Sequence, residues 1–184
     1  NSYLLEIAPM LGIRESRRIM GDYILNADDL IKGKVFEDAV AMGGYHIDIH
    51  RPKGTWVESH NVRAYTIPLR SLIAKGVSGL LMAGKCISAT HEAIASTRVI
   101  PICMAQGEAA GTAAAMAIKS NIDVRRLKII QLQKQLNSQN VEFGQSIGEP
   151  NAKIIERIGQ LPFDEPSTTG DNDELAKKGN SWVH

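Results

Sequence analysis

Aromatic residues are scarce in this chain: Phe, Trp and Tyr make up 5% of its 184 residues. That argues against a stacking platform for single strands or sugars, which needs rows of exposed rings. An excess of one charge is missing too. Lys and Arg number 21 against 20 Asp and Glu, a formal net charge of +1, so nothing points to nucleic acid or an acidic membrane as partner. The two cysteines, Cys86 and Cys103, form no CxxC and no metal-ligand spacing, and report no redox compartment. They read as small buried residues, with Cys86 set apart by its place near a glycine turn. The apolar stretch 94–118 is interrupted by Arg98, Gln106 and Glu108, which excludes a membrane span. The chain opens on Asn1–Ser2 without a methionine. It therefore reads as an excised piece, and its start assigns no localisation. With 43% apolar and 22% charged residues, the chain suffices for one domain with a real core, or one and a small second piece.

The first 75 residues read as short strands and turns. Residues 14–25 are expected as strand, turn at Gly21–Asp22, strand, although Arg14, Ser16 and Arg18 share one face and Glu15 and Arg17 the other. Asn26 or Asp28 can cap a helical turn over 29–32. Residues 36–42 read as a second short helix stopped by Gly43–Gly44. Alternation predicts a strand over 45–50, a polar loop or hairpin tip over 52–61, and another strand over 62–67 ended by Pro68. A turn of helix or loop follows at 71–75.

Glycine and alanine are abundant where the next strand ends. Residues 79–117 read GLLMAGKCISATHEAIASTRVIPICMAQGEAAGTAAAMA. Residues 80–83 predict a buried strand of the parallel kind; a polar segment with one His and one Arg follows. A long helix then spans about 98–119, with Thr97 as N-cap and Pro101 tolerated in its first turn. Gly107, Gly111, Ala114 and Ile118 share one face of it. Glycine costs a helix about 1 kcal/mol relative to alanine, so this face is expected to pack closely on a sheet or helix. A helix start aimed past the end of a strand also makes a ready site for an anion or a reducible ring. Asp123 caps a second helix over 124–136, and 141–143 reads as a terminal strand. From Pro162 the composition turns to Pro, Ser, Thr, Gly and acidic residues, a linker or tail.

These blocks resemble the C-terminal signature of FAD-dependent oxidoreductases, flavoproteins with the glutathione-reductase type of FAD domain. The blocks are Ala83-Gly84-Lys85, Ser88-Ala89-Thr90-His91-Glu92-Ala93, Arg98-Val99 and Gly107-Glu108-Ala109-Ala110-Gly111-Thr112. Upstream, Gly12-Ile13-Arg14-Glu15-Ser16-Arg17-Arg18, Asp38-Ala39, Asp48-Ile49-His50 and Tyr65-Thr66-Ile67-Pro68-Leu69-Arg70 extend the likeness over about residues 8–140. Lys85 stands where arginine is usual, keeping the charge but losing the two-pronged grip on a pyrophosphate. Glu108 stands where glutamine is usual. The family's G-x-G-x-x-G turn for the ADP half of FAD is missing from the sequence. The resemblance therefore implies the C-terminal portion of a longer flavoprotein, which alone binds FAD poorly or not at all. It implies Ala83, Gly84, Lys85, Ser88, Arg98, Gly107 and Gly111 beside the cofactor.

His91 is the best candidate for a catalytic acid or base, since an ordinary imidazole titrates near neutrality; it can equally position substrate or merely order its segment. His46, Asp48 and His50 recur every second residue and line one strand face. That pattern can hold a metal or contact substrate hydroxyls; the resemblance carries Asp48 and His50 and implies no metal, so no metal site is assigned. Arg14, Arg17 and Arg18 can clamp an acidic substrate or form a solvated edge paired through Glu15, and Arg70 shares the ambiguity.

The expected fold is α/β: the C-terminal fragment of a two-domain, Rossmann-like FAD-binding flavoprotein with part of a β-rich substrate domain. Residues 1–75 belong to the substrate domain, 76–145 to the FAD-binding domain, and 146–184 form an extension or linker. The expected function is hydride transfer between a small-molecule substrate and flavin. The missing N-terminal part of the same protein is the expected partner, and self-association through exposed sheet edges is a further expectation. Two alternatives stay open. One is a non-enzymatic ligand-binding or assembly module; the other is a polysaccharide-associated lyase without redox chemistry, using His91 or His50 as base. Some family members carry a lyase label, and Gly179-Asn180-Ser181-Trp182 resembles the start of an appended extracellular β-domain.

Overall fold

The structure, a computed structural model, describes residues 7, 9–10, 12–50, 57–146 and 149–150. Residues 51–56, which hold the first part of the loop or hairpin tip expected over 52–61, and the residues from 151 onward, Gly179–Trp182 included, lie outside the described residues. In chain order the regular elements are α1 (Ala27–Ile31), β1 (Ala39–Gly43), β2 (Ile47–His50), β3 (Val57–His60), β4 (Tyr65–Pro68), α2 (His91–Thr97), α3 (Ile100–Ser120), α4 (Ile129–Ser138), β5 (Gln145–Ser146) and β6 (Glu149–Pro150). Short 3₁₀ turns occupy Leu69–Ser71, Gly84–Cys86 and Val124–Arg126. The result is a mix of helices and small antiparallel strand pairs: β1 with β4, β2 with β3, and β5 with β6.

Helix α1 begins where its sequence signals place it. The Asn26 side chain accepts from the Asp29 N–H at 3.1 Å, and the Asp29 carboxylate accepts from the Asn26 N–H at 3.2 Å. This reciprocal cap satisfies two donors that a helix start otherwise leaves bare. Residues 36–42 do not form the expected helix. Ala39, Val40 and Ala41 are fully buried in a strand that pairs Ala41 with Ile67 and Gly43 with Tyr65. Burial on both sides outweighs the helix preference of Ala and Met. Gly43 is there for close approach rather than as a helix stop: a Cβ on it would meet the Tyr65 ring at 2.5 Å.

Residues 57–60, expected as loop, are a strand that places His60 opposite Ile47. The strand expected over 62–67 is confined to β4. The two strands expected over 14–25 reduce to single bridges, Gly21 to Ala74 and, in parallel, Leu25 to Ala89. With charged residues on both faces, this segment has no apolar side to fix a register. Residues 80–83 make no strand either. Leu81 alone bridges Ile73, antiparallel; Met82 is buried while Leu80 is 41% exposed. No parallel sheet forms among the described residues. Residues 141–143 are buried at Val141 and Phe143 but irregular.

The largest difference lies between residues 90 and 120. A single helix beginning near Arg98 was expected; two helices form. Thr90 caps α2 by accepting from the Ala93 N–H at 3.3 Å, and Thr97, expected to cap the long helix, closes α2 instead. The break is at Val99, whose backbone is extended (φ −70°, ψ 147°). Pro101 explains it. A proline has no N–H to give the carbonyl four residues back, here that of Thr97. Helix α3 then ends at Asn121 in the left-handed region (φ 51°), a regular helix stop. Asp123 caps the 3₁₀ turn Val124–Arg126 rather than a helix, and α4 starts later than expected.

Helix α3 buries not the expected glycine face but one displaced from it that takes in its neighbours Ala110, Ala113 and Ala117. Ile102, Gln106, Ala109, Ala110, Ala113 and Ala117 face the interior, where alanines let the helix lie close to β1, α4 and the turn Gly84–Cys86. Gly107 and Gly111 are exposed, and a Cβ on either would meet nothing within 4 Å. One hydrophobic cluster runs from Leu25 through Ile47, Ile67, Ile94 and Ala109 to Leu132, Leu136 and Phe143. It includes residues on both sides of position 75. Each fully buried Leu or Ile contributes about 1.5–3 kcal/mol.

Tyr65 anchors α2 to this cluster. Its hydroxyl donates to Ser96 Oγ at 2.6 Å, and Ser96 donates onward to the Tyr45 carbonyl. Burial pushes the Tyr65 phenol far above its ordinary 10.0, offset in small part by the Ser96 hydroxyl. The neutral phenol belongs to the folded state, so its contribution is whole below pH 10.0 and is lost as pH rises toward the folded value, because the unfolded chain gives up that proton first. Tyr65→Phe is expected to cost about 1 kcal/mol near neutrality and to flatten the alkaline loss. Urea midpoints taken across the alkaline range check both.

Candidate active site

The irregular segment 12–18, the outer half of β2 and one face of α2 enclose an open cavity of about 430 Å³. Its lining is Arg14, Glu15, Ser16, Arg18, Asp48, Ile49, His50, His91, Ala95 and Arg98. Each position has a local cause. His91, Ala95 and Arg98 are spaced by four and three residues and so share one helix face. Asp48 and His50 alternate on β2. Segment 12–18, lacking a sheet partner, is tied down by contacts: Lys85 Nζ donates to the Ile13 carbonyl at 2.7 Å, and the Ile19 N–H donates to the Cys86 carbonyl at 3.0 Å.

Charge in the cavity is organised around two carboxylates. Asp48 Oδ1 lies 3.2 Å from His50 Nε2, and its Oδ2 lies 3.7 Å from Arg14. Glu15 Oε1 lies 2.8 Å from His91 Nδ1 and is also contacted by Arg18; Oε2 lies 3.6 Å from Arg98. Arg98 further donates to the Asp48 carbonyl at 2.7 Å, and its side chain is 11% exposed. His91, at 56%, and Arg14, at 47%, are open to solvent and reachable by a ligand. Among the described residues, no group of three or more His, Cys, Asp or Glu is placed to hold a metal ion. His46 stacks against Tyr45, ring centroids 4.1 Å apart, away from any such cluster.

Six residues nominated from sequence thus meet here: Arg14, Arg18, Asp48, His50, His91 and Arg98. Others fall elsewhere. Arg70 holds Asp38 with two bonds of 2.9 and 3.0 Å, which raises its pKa, and it lines a separate groove with Phe36, Leu69 and Arg125. Ser88 is buried, its hydroxyl without a partner among the described residues. Glu15 was read from sequence as a surface pairing partner and not as a site residue; its place midway between arginines was the available signal. Gln106 was missed altogether, although a lone amide on an Ala/Ile face marks a buried polar role.

The turn at Gly84 packs against α3 and, through Lys85, holds the segment of Ile13 that leads into the cavity wall. Gly84 adopts φ +74°, a conformation glycine takes without penalty. Its N–H donates to Gln106 Oε1 at 2.7 Å, and Gln106 Nε2 donates to the Thr97 carbonyl at 3.2 Å. Cys103 Sγ reaches the same carbonyl at 3.6 Å, and burial pushes this thiol up. Beyond the turn, α3 begins without a side-chain cap, with Ile100 and Met104 exposed at 76% and 68%.

The profile of the family described as FAD dependent oxidoreductase matches residues 1–136. The chain belongs to that family. A search of curated proteins and a search of solved structures each return no match. No helix among the described residues is long and apolar enough to cross a membrane.

Two features of α3 are compatible with a cofactor on its exposed side. The uncapped start of α3 leaves N–H groups bare for an anion. Gly107 and Gly111 each cost the helix about 1 kcal/mol, and no contact among the described residues requires a glycine at either.

Gln106→Leu is expected to leave the Gly84 N–H and the Thr97 carbonyl without their partner, at a cost of about 1–3 kcal/mol. A lowered denaturant midpoint with faster hydrogen exchange at the Gly84 amide is the expected outcome; unchanged exchange at Gly84 contradicts the bridge.

Proposed function

We propose that this chain is the C-terminal portion of an FAD-dependent oxidoreductase with the glutathione-reductase type of FAD domain. Its reaction is hydride transfer between a small-molecule substrate and flavin. Residues 76–145 provide the C-terminal part of the FAD-binding unit, residues 1–75 part of the substrate unit, and 146–184 an extension or linker. The missing N-terminal part of the same protein carries the G-x-G-x-x-G turn and completes the cofactor site. The convergence of Arg14, Asp48, His50, His91 and Arg98 into one cavity is the observation that carries this reading.

Ala83, Gly84, Lys85, Gly107 and Gly111, with the first turn of α3, hold the cofactor on this side, and Arg98 adds positive charge at the edge of the substrate cavity. When bound, the flavin supplies a two-electron acceptor beside that cavity. His91 accepts the hydroxyl proton as a carbon bearing oxygen is oxidised, or returns it in the reverse direction. Arg14 and the Asp48–His50 pair orient the polar groups of the substrate. Arg70, engaged by Asp38 in a different groove, and the buried Ser88 take no part.

In the complete flavin-loaded protein, His91→Ala is expected to slow substrate-driven flavin reduction by roughly 10²–10⁴-fold with flavin content unchanged. Rapid-mixing absorbance measures it, and an unaltered rate removes His91 from the reaction. Turnover that survives flavin removal supports the redox-free lyase instead. The isolated 184-residue chain is expected to purify without stoichiometric flavin; a yellow product with one flavin per chain contradicts the fragment reading.

A further inference from the structure

We propose that Glu15 is the positioning residue of the site: it fixes the tautomer and orientation of His91, leaving Nε2 as the nitrogen presented to the cavity. The proposal rests on the reading of His91 as the proton-transfer group.

The geometry is specific. Glu15 Oε1 lies 2.8 Å from His91 Nδ1. Arg18 contacts the same oxygen, and Arg98 approaches Oε2 at 3.6 Å. A carboxylate facing two guanidinium groups is ionised, and an ionised carboxylate only accepts hydrogen bonds. His91 must therefore carry its proton on Nδ1 when neutral. The opposite nitrogen, Nε2, then keeps its lone pair, with no partner among the described residues. A neutral imidazole presents a base at one nitrogen only when the other is committed as donor.

The arrangement also explains a local conflict in the sequence. Residues 12–18 have no apolar face and no strand partner, yet the Glu15 side chain is only 16% exposed. Exposed ion pairs contribute about 0–1 kcal/mol, too little alone to define a conformation. Glu15 instead gathers three donors, two of them from opposite ends of one face of α2. It thereby ties segment 12–18 to both ends of that helix, at His91 and at the C-cap Arg98. Arg18 shares the carboxylate without touching His91, so it serves as an internal control.

The test is the tautomer of His91 in the ¹⁵N-labelled 184-residue chain, read from two-bond ¹H–¹⁵N couplings at a pH of about 8, where an ordinary imidazole is neutral. The expected result is the Nδ1–H form in the unmodified chain, lost in Glu15→Ala and retained in Arg18→Gln. An Nε2–H form in the unmodified chain overturns the proposal without any variant, so a folding failure of Glu15→Ala does not protect it. Retention of Nδ1–H in Glu15→Ala overturns it, as does equal loss in Arg18→Gln, which reports loosening of the whole segment. The spectrum reads the hydrogen bond alone, whereas flavin reduction in His91→Ala reads the catalytic role, so the two ideas fail separately.

Discussion

A hydrogen bond that cannot be made organises this site. Pro101 has no N–H, so the Thr97 carbonyl is left over where one continuous helix would have consumed it. A buried carbonyl without a partner is costly, and Gln106, one helical turn and a residue beyond Pro101, turns inward to meet it. The other end of the same amide takes the N–H of Gly84. One side chain thus joins the break between α2 and α3 to the turn that precedes α2. Gly84, held at φ +74°, directs the chain through Lys85 and Cys86, and those two residues hold the segment of Arg14 and Glu15 by their contacts to Ile13 and Ile19. Without the break, α2 would run on into α3, and Arg98 would sit mid-helix rather than at a C-cap facing Glu15 and the Asp48 carbonyl.

How much of this was legible depends on how local the cause is. The Asn26 cap, the end of the long helix near residue 119 and the strand over 47–50 follow from residues within a turn or two of each other, and sequence reading found or nearly found them. Residues 36–42 went the other way because Ala41 and Gly43 pair with Ile67 and Tyr65, about 25 positions downstream, a contact no local pattern carries. The face of α3 was misjudged for a related reason. Small residues occur all round this helix, so glycine spacing alone does not say which side is inside; the buried amide of Gln106 does. For the site, residue types with evident chemistry were found, and six of them meet. Glu15 was not, because a carboxylate among arginines looks the same whether it pairs on a surface or orients a histidine.

The electrostatics of the cavity separate two kinds of group. Arg98 and Glu15 are largely shielded and committed to one another and to α2, so their positions are set before any ligand arrives. His91, Arg14 and His50 are about half exposed and keep the freedom to exchange water for substrate. This division of a fixed inner pair and an open outer set is what preorganised binding requires. It also explains why Arg70 is unsuited to the same role. Its guanidinium is spent on both oxygens of Asp38 and packs over the Tyr23 ring at 5.3 Å, so a substrate would have to displace an intramolecular fork.

The exposed side of α3 completes the physical picture. Ile100, Met104 and Ile118 stand 68–80% open to solvent on a helix whose two glycines have open space beside them. A helix of this length gains most of its stability from packing rather than propensity, and its inner face is built largely from alanine, the side chain with the least apolar surface to bury. Residues chosen for an isolated surface would avoid both the bare isoleucines and the glycines. On the proposed reading, the glycines stand where the cofactor approaches the backbone and the large apolar side chains where protein returns. On that reading, this face takes the cofactor and a covering chain while Arg14, Asp48, His50, His91 and Arg98 take the substrate, and the Gly84 turn, tied to α3 through Gln106 and to the segment of Ile13 through Lys85, links the two.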